Sequence, residues 1–208
     1  MSTLATAGDE LPPPAPTDAP EYAERLAGLQ QVWWKRLLPV QAPYRWNLRR
    51  LHLGFTLDVG CGIGRNLENL GGHGVGVDHN ADAVAAARAR GFDAMTSEEF
   101  SASPFATPAR FDSMLVAHVL EHMSQADAVE LVGTYLPFVR PGGNVVFVTP
   151  QERGYRSDPT HVELMDFDAL RHIATELHLS VARSYSFPFP RRCGTLFVYN
   201  EFVQVARI

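Results

Sequence analysis

Residues 118–123 place two imidazoles and one carboxylate where a predicted strand ends. His118, Glu121 and His122 follow the apolar run of residues 111–117, which is typical of a buried strand. If a helix starts at this point, spacings of three and four residues put the three side chains on one face. Such a face could bind a metal ion, remove a proton or cap the helix. The choice depends on the elements that surround it.

Strand and helix patterns alternate from about residue 55 onward. The predicted strands cover residues 55–59, 74–77, 93–96, 111–117, 144–149, 181–187 and 196–205, and the predicted helices cover 65–70, 81–90, 124–140 and 166–177. Strands that alternate with helices form a parallel sheet covered on both faces. The last two strands have no helix between them, which predicts an antiparallel hairpin at one end of the sheet. The pattern therefore predicts an α/β fold with a doubly wound, mostly parallel sheet.

The composition is that of a soluble globular protein. The 208 residues are 46% hydrophobic and 20% charged, and the net charge of -5 disfavours nucleic acid and anionic membranes as partners. No apolar stretch reaches about 18 residues, so no membrane span is expected. A signal peptide is not expected either. Two cysteines are too few for a disulfide framework. We expect a cytoplasmic protein with a small-molecule partner, and a homodimer is left open.

The first 50 residues differ from the rest of the chain. Residues 1–20 are rich in proline, which predicts disorder. Apolar residues at helical spacing predict an amphipathic helix over about 21–38. The predicted divisions are a disordered Pro-rich tail (1–20), an N-terminal helix with a lid segment (21–50) and one α/β domain (51–208).

A glycine-rich loop joins the first predicted strand to the first helix. Gly60, Gly62 and Gly64 let the backbone turn tightly at the carboxyl end of a strand, where ligands of open α/β sheets bind. A nicotinamide site requires Gly-x-Gly-x-x-Gly, but its third glycine would fall on Arg65. The next strand ends in Asp78, an acid that can hold ribose hydroxyls. The spacing therefore disfavours a nicotinamide oxidoreductase, which stays as an alternative.

The loop and the segments after it resemble class I S-adenosylmethionine-dependent methyltransferases. Asp58 with the three glycines is similar to their motif I, and the Pro-Gly-Gly of residues 141–143 is similar to the turn before their fifth strand. The resemblance covers roughly 55–208. It implies a Rossmann-like seven-stranded sheet with a C-terminal antiparallel strand, preceded by an N-terminal helix. It also implies a binding set for S-adenosyl-L-methionine: Asp58, Gly60, Cys61, Gly62, Gly64, Asn66, Asp78, His79, Ser97, Glu98 and Ala117.

The segment after the fourth strand resembles the metal segment of two methyltransferase groups. Ubiquinone-biosynthesis O-methyltransferases and small-RNA 2′-O-methyltransferases carry Glu-x-x-Glu-His there, so Glu121 and His122 match and His118 replaces the first Glu. The small-RNA enzymes add a distal histidine, a position that His161 could take. The resemblance implies a divalent metal, first of all Mg²⁺, held by these four residues. A nitrogen ligand is softer than a carboxylate, so the metal's identity is left open.

This constellation predicts methyl transfer to oxygen. An alcohol needs a base or a metal because its pKa lies far above neutrality, whereas carbon and nitrogen acceptors often need neither. We therefore expect an O-methyltransferase in which His118, Glu121 and His122 are catalytic. Two alternatives stay open: a metal-independent enzyme with neutral His118 as the base, and a structural role in which the cluster packs or caps a helix.

Two stretches indicate the acceptor. Residues 44–49 and 158–163 resemble small actinobacterial methyltransferases, one group of which methylates mannose oligosaccharides on the way to methylmannose polysaccharides. This resemblance implies a saccharide hydroxyl, and the ubiquinone-pathway resemblance implies a phenol or quinone precursor as the alternative. The candidate acceptor contacts are Tyr44, Trp46, Tyr155 and Asp158. A noncatalytic S-adenosylmethionine-binding protein also stays open, since a fold does not determine function.

Overall fold

Seven strands form one sheet in the computed structural model, which describes residues 42–208. The strands are β1 (Thr56–Val59), β2 (Gly74–Asp78), β3 (Ala94–Thr96), β4 (Phe111–Ala117), β5 (Val139–Pro150), β6 (Ser180–Phe187) and β7 (Glu201–Arg207). Their order across the sheet is β3-β2-β1-β4-β5-β7-β6, and β7 is antiparallel to both of its neighbours. The predicted α/β sheet with a C-terminal antiparallel strand is confirmed.

Seven α-helices and three short 3₁₀ helices connect the strands within residues 42–208. The α-helices are α1 (Ala42–Arg50), α2 (Arg65–Asn69), α3 (Ala81–Ala89), α4 (Ser97–Ser101), α5 (Gln125–Tyr135), α6 (Glu152–Tyr155) and α7 (Phe167–Glu176). The 3₁₀ helices are Leu120–His122, Leu136–Phe138 and Arg191–Thr195. None of the helices in this part of the chain has the length and apolar character needed to cross a membrane.

Several element boundaries differ from the predicted ones. The helix predicted over 124–140 ends at Tyr135, because Pro137 has no backbone N–H to continue it and a 3₁₀ turn follows. The last strand begins at Glu201 rather than at 196, since a 3₁₀ helix and a turn precede it. The end of the predicted lid segment is helix α1. The predicted tail and the amphipathic helix over 21–38 lie outside the described residues.

Two apolar layers bury the central strands. Side chains alternate along a strand, so Met114 and Val116 of β4 pack into a cluster that includes residues of α5 and α7. The intervening Leu115 and Ala117 pack on the other face, where Leu48 of α1 joins their cluster. Helix α1 is therefore anchored on the sheet by an apolar side chain. This contact fixes the position of its remaining residues relative to the ends of the strands.

The direction of β7 decides which residues meet at the carboxyl edge of the sheet. Because β7 runs against β5 and β6, its first residue, Glu201, pairs with Pro150 at the end of β5 and with Phe187 at the end of β6. The loops after β1 and β4 emerge at the same edge, since these strands are parallel to β5. The topology thus brings a residue from the C-terminal strand to the edge at which ligands of such sheets bind.

Candidate active site

The glycine loop after β1 approaches its neighbours closely. Gly60, Gly62 and Gly64 have φ values of 74°, 51° and 80°, in the region that strains residues with a side chain. A Cβ on Gly60 would lie 2.2 Å from Val119. The Gly62 N–H donates to Asp78 Oδ2 at 2.7 Å, which ties the loop to the end of β2. The loop can therefore pass directly beneath the segment that follows β4.

A cavity of about 280 Å³ lies between the glycine loop and the segment after β4. Most of the residues predicted to bind the cofactor line it: Gly60, Cys61, Gly62, Asn66, Asp78, His79, Ser97 and Ala117. Three do not: Gly64 packs on Phe92, Glu98 is exposed on α4, and Asp58 is buried. Sequence reasoning missed the apolar wall of Ile63, Val119, Met123, Leu131 and Tyr135. Apolar residues of this kind are indistinguishable from core residues before the fold is known.

Asp58 is a buried acid without full hydrogen bonding. Its Oδ2 accepts no hydrogen bond from the described residues, and its Oδ1 lies 3.4 Å from Asn66 Nδ2. Burial raises the pKa of Asp58 to about 7; the Asn66 hydrogen bond opposes this change and the charge of Asp78 adds to it. A buried carboxylate is stabilised by a cation, so this site fits an ammonium group such as that of an amino acid.

The segment after β4 does not form the helical face that the spacing predicts. His118 has a left-handed φ of 59°, and residues 120–122 form a 3₁₀ helix, so the three side chains do not follow α-helical geometry. The N-cap of α5 is Ser124, whose side chain accepts the N–H of Asp127. The cluster therefore does not cap that helix, and the capping alternative is wrong.

Glu121, His122 and His161 converge. One potential ligand atom from each lies within 4.8 Å of the other two. Nδ1 of His122 lies 3.2 Å from the Thr160 carbonyl oxygen, and Nδ1 of His161 lies 2.7 Å from that of Tyr155. A carbonyl oxygen only accepts, and the Thr160 hydroxyl, which also lies 3.2 Å from His122 Nδ1, donates to Asp158, so each Nδ1 donates and Nε2 is left as the ligand atom of each ring. Metal-binding histidines are commonly oriented in this way.

Burial sets the charges within this trio. The side chain of Glu121 is only 1% exposed, and neither of its oxygens accepts a hydrogen bond from residues 42–208. Burial lowers the pKa of His122, although the charge of Glu121 opposes this change, so the imidazole is neutral and available as a ligand. A buried carboxylate without hydrogen bonds is unfavourable, and the contact of Glu121 Oε1 with His118 Nδ1, at 3.4 Å, is too long for a strong hydrogen bond. The trio therefore fits a divalent cation.

The loop after β5 brings His161 to this position. The backbone oxygen of Glu121 accepts the N–H of Val162 at 2.7 Å and that of Glu163 at 3.3 Å. Glu163 also accepts hydrogen bonds from Gln125, through the backbone N–H at 3.0 Å and the side-chain amide at 2.5 Å. These hydrogen bonds attach the loop after β5 to the segment after β4 at two positions, Glu121 and Gln125, on either side of His122. They explain how two segments distant in sequence form one cluster.

His118 is directed toward Glu201 and is not part of the trio. Its Nε2 lies 2.9 Å from Glu201 Oε1, and its Nδ1 lies 3.4 Å from Glu121 Oε1. Burial lowers the pKa of His118, but the contact with Glu121, the hydrogen bond to Glu201 and the charges of both acids outweigh this and raise it to about 10. The imidazole is therefore protonated near pH 7. This charge does not fit the prediction of His118 as a neutral base, and its role as a metal ligand stays a prediction.

Glu201 is the functional candidate that sequence reasoning missed. It is buried, and 83 positions separate it from His118. No motif includes it, because it belongs to the antiparallel strand at the other end of the domain. The available signal was an acid at the start of an otherwise largely apolar strand.

Two of the predicted acceptor contacts flank the trio. The ring of Tyr155 stacks on His161 at 5.5 Å with an interplanar angle of 19°. Asp158 Oδ1 accepts the N–H and the hydroxyl of Thr160, so this acid also shapes the loop. Tyr155 and Asp158 therefore lie beside the metal-binding candidates.

The other two predicted contacts are on α1, near Glu201. Tyr44 donates its hydroxyl to the Tyr199 carbonyl oxygen at 2.6 Å, and burial raises its pKa, with the charge of Glu201 adding to the effect. Trp46 is 55% exposed and stacks on Phe187 at 6.4 Å. Neither residue lines the cavity, so their role as acceptor contacts stays a prediction.

Comparisons with known proteins agree with the observed fold. Residues 57–147 match the family described as "Methyltransferase domain". No curated protein matches the sequence significantly. The chain is similar in structure to a SAM-dependent methyltransferase from Archaeoglobus fulgidus, with 19% identity, a TM-score of 0.63 and coverage of 79% of this chain and 93% of that one.

Two further solved structures contain a bound ligand. Magnesium protoporphyrin IX methyltransferase (ChlM) from Synechocystis PCC 6803, with bound SAM, has 13% identity, a TM-score of 0.61 and coverage of 92% of this chain and 93% of that one. N-methyltransferase NodS from Bradyrhizobium japonicum WM9, with S-adenosyl-L-homocysteine, has 20% identity, a TM-score of 0.64 and coverage of 90% and 96%. At these identities the similarity shows the shared fold.

Proposed function

We propose that this chain is a class I S-adenosylmethionine-dependent methyltransferase that transfers the methyl group to a hydroxyl of a small molecule with the assistance of a divalent metal ion. The match of residues 57–147 to a methyltransferase family supports the class. One observation carries the proposal: buried Glu121 and the oriented imidazoles of His122 and His161 converge beside the cavity. His122 itself lines that cavity. The candidate metal ligands therefore adjoin the space in which we place the methyl donor.

The cavity supports the placement of S-adenosyl-L-methionine. Asp58 does not line the cavity itself, but its buried carboxylate lies 3.4 Å from the lining residue Asn66, and we place it near the donor's ammonium group, in contact directly or through water. Each oxygen of Asp78 accepts one backbone N–H, from Gly62 or Asn80, and keeps a lone pair for a ribose hydroxyl. Ser97 lines the cavity at the end of β3 and is our candidate on the adenine side. Because the donor is already activated, the main tasks of these residues are alignment and the exclusion of water.

The donor set favours a borderline metal ion. Glu121, His122 and His161 would hold the metal, which when bound would lower the pKa of the acceptor hydroxyl. Two nitrogen donors and one oxygen donor suit Mn²⁺, Co²⁺ or Zn²⁺ better than Mg²⁺, which prefers oxygen ligands. We therefore propose a borderline cation in place of the Mg²⁺ that the family resemblance implies.

A saccharide is the favoured acceptor, and a mannoside within that class. The resemblance of residues 44–49 and 158–163 supports this choice, as do Tyr155 beside His161 and the acid Asp158 in the same loop. An aromatic face next to polar groups can hold a sugar ring by stacking and by hydrogen bonds to its hydroxyls. The same Tyr155 ring could stack on a phenol, which makes a phenolic or quinone-precursor acceptor the second candidate.

The decisive experiment measures methyl transfer from labelled S-adenosylmethionine to mannosides, other sugars, catechols and amines. Metal-free enzyme is compared before and after addition of Mn²⁺ or Co²⁺. We expect transfer to a hydroxyl that is lost in excess EDTA and restored by the metal. Full activity in EDTA would reject the metal, and transfer to amines alone would reject the hydroxyl. Donor binding with no transfer to any acceptor would favour a noncatalytic binding protein.

A further inference from the structure

We propose that Glu201 and His118 form an outer shell that positions Glu121 to bind the metal ion. This inference rests on the proposed function, because it assigns a role to two residues around the proposed ligands. It gives His118 a positioning role in place of direct ligation. It also brings Glu201, which no sequence motif includes, into the site.

A continuous chain of contacts supports this role. Glu201 Oε1 lies 2.9 Å from His118 Nε2, and His118 Nδ1 lies 3.4 Å from Glu121 Oε1. One imidazole therefore joins two carboxylates. Its contact with Oε1 orients the Glu121 carboxylate, which has no hydrogen bond to any described residue that would otherwise hold it. Partners behind metal ligands have this effect in many sites, where they fix the orientation of the ligand and raise metal affinity.

Glu201 is suited to act as the fixed end of this chain. Its backbone pairs with Pro150 and with Phe187, and its carbonyl oxygen accepts the Gln151 side-chain amide at 2.9 Å. Gln151 is itself buried and accepts a hydrogen bond from Asn200 at 2.9 Å. The backbone of Glu201 is thus held from both neighbouring strands, independently of its contact with His118.

The backbone of His118 is held in a conformation that aims the ring between the two acids. Its φ of 59° is unusual for a residue with a side chain, and its N–H donates to the Val148 carbonyl oxygen at 2.9 Å. A carboxylate at position 118 would meet two others of the same charge, at Glu121 and Glu201. A histidine at position 118 can instead link the two acids: Glu201 holds its Nε2, and its Nδ1 contacts Glu121.

The test titrates Co²⁺ into the full chain and follows its visible absorption. The variants are Glu201→Gln, which keeps the size of the side chain, and His118→Asn, since asparagine tolerates left-handed backbone. Each should raise the Kd for Co²⁺ by about 10–100-fold. Binding of S-adenosylhomocysteine should stay unchanged in Glu201→Gln, because Glu201 does not line the donor cavity. Glu176→Gln, which removes an exposed acid at the far end of α7, is the matched control and should bind Co²⁺ like the wild type.

Two further variants separate positioning from general stabilisation. If Glu201 acts through His118, the two losses should not add. The variant that carries both Glu201→Gln and His118→Asn should then bind Co²⁺ as tightly as the single variant with the lower Co²⁺ affinity. Glu201→Asp keeps the charge on a shorter side chain and should recover part of the affinity that Glu201→Gln loses. Thermal melting of every variant shows whether it folds, and Glu201→Asp serves in place of Glu201→Gln if the latter does not.

The outcomes distinguish this inference from the proposed function. If the wild type binds Co²⁺ and Glu201→Gln binds it equally well with the same spectrum, the outer-shell role is wrong and the metal site stands. Additive losses in the double variant would also overturn the inference, because the two residues would then act separately. If the wild type binds no Co²⁺, both the metal in the proposed function and this inference are rejected.

Discussion

The imidazole rings of His122 and His161 lie 4.9 Å apart at an angle of 62°. One ring follows β4 and the other belongs to the loop after β5, which is attached to the backbone oxygen of Glu121. Each ring directs its Nδ1 to a carbonyl oxygen and so keeps Nε2 for a ligand. This arrangement makes the pair the central element of the proposed metal site, and the first prediction concerns it.

Replacing His161 by Ala should abolish most metal binding. The change removes a ligand. A change in a residue behind a ligand typically lowers metal affinity about 10–100-fold, and Mn²⁺ affinity should fall by more than this here. Affinity for S-adenosylmethionine should stay the same, because His161 does not line the donor cavity. Isothermal titration calorimetry measures both. His172→Ala, at an exposed position on α7, is the control and should change neither.

Binding of S-adenosylmethionine should strengthen as the pH rises toward 7. The free protein holds a proton on Asp58, whose pKa is about 7, and the donor's ammonium favours the carboxylate. Binding near pH 6 should therefore release a proton. Calorimetry in two buffers with different ionisation enthalpies measures this release. Asp58→Asn should bind more weakly and without proton release; release that persists in this variant would contradict the assignment.

Asp58 should also make the stability of the unliganded protein depend on pH. Its folded pKa lies above its ordinary value, so the folded state binds this proton more tightly than the unfolded state. The stability that this group contributes is present below about pH 4 and is lost as the pH rises toward 7. Urea unfolding across this range, compared between the wild type and Asp58→Asn, isolates the effect from those of other groups.

Gly60→Ala should damage the site more than a comparable change elsewhere. Gly60 and Gly71 both have positive φ, 74° and 71°, so alanine at either position should cost about 1–2 kcal/mol of folding free energy. Of these two positions, only Gly60 would also suffer a collision, because its new Cβ would lie 2.2 Å from Val119. At Gly71 no atom would lie within 4 Å of the new Cβ. Urea unfolding and donor affinity should both show the larger loss for Gly60→Ala.

A second substitution tests the cause of that loss. Val119→Ala removes the methyl groups that the new Cβ would meet. In the Gly60→Ala background it should restore part of the donor affinity. An unchanged affinity would mean that backbone strain, rather than the collision, is responsible.

Asp78→Ala should weaken donor binding by about 1.5–3 kcal/mol, the range for hydrogen bonds to a charged group. The carboxylate accepts the N–H groups of Gly62 and Asn80, so part of the loss reflects a looser loop. Equilibrium binding of S-adenosylhomocysteine measures the change, with Asp93→Ala at an exposed position as the control. Equal affinity of wild type and Asp78→Ala would contradict its role at the ribose.

Sequence alone determined the type of fold and the place of the cavity in which we propose that the donor binds. Strand and helix periodicity are local properties, so the alternation of β1 to β5 with helices could be predicted. Glycines with special backbone angles and an acid at a strand end are local signals as well, which is why Gly60, Gly62 and Asp78 were identified before the structure. The trio of Glu121, His122 and His161 was also named in advance, on a family resemblance.

Tertiary structure alone decided the conformation of His118 and its contact with Glu201. The spacing of residues 118–122 predicts one helical face, but the left-handed conformation of His118 and its hydrogen bond to β5 override that local preference. Glu201 reaches the site because β7 inserts antiparallel between β5 and β6. Such an insertion depends on the packing of the whole sheet, and the spacing of nearby residues in the chain carries no information about contacts made across it.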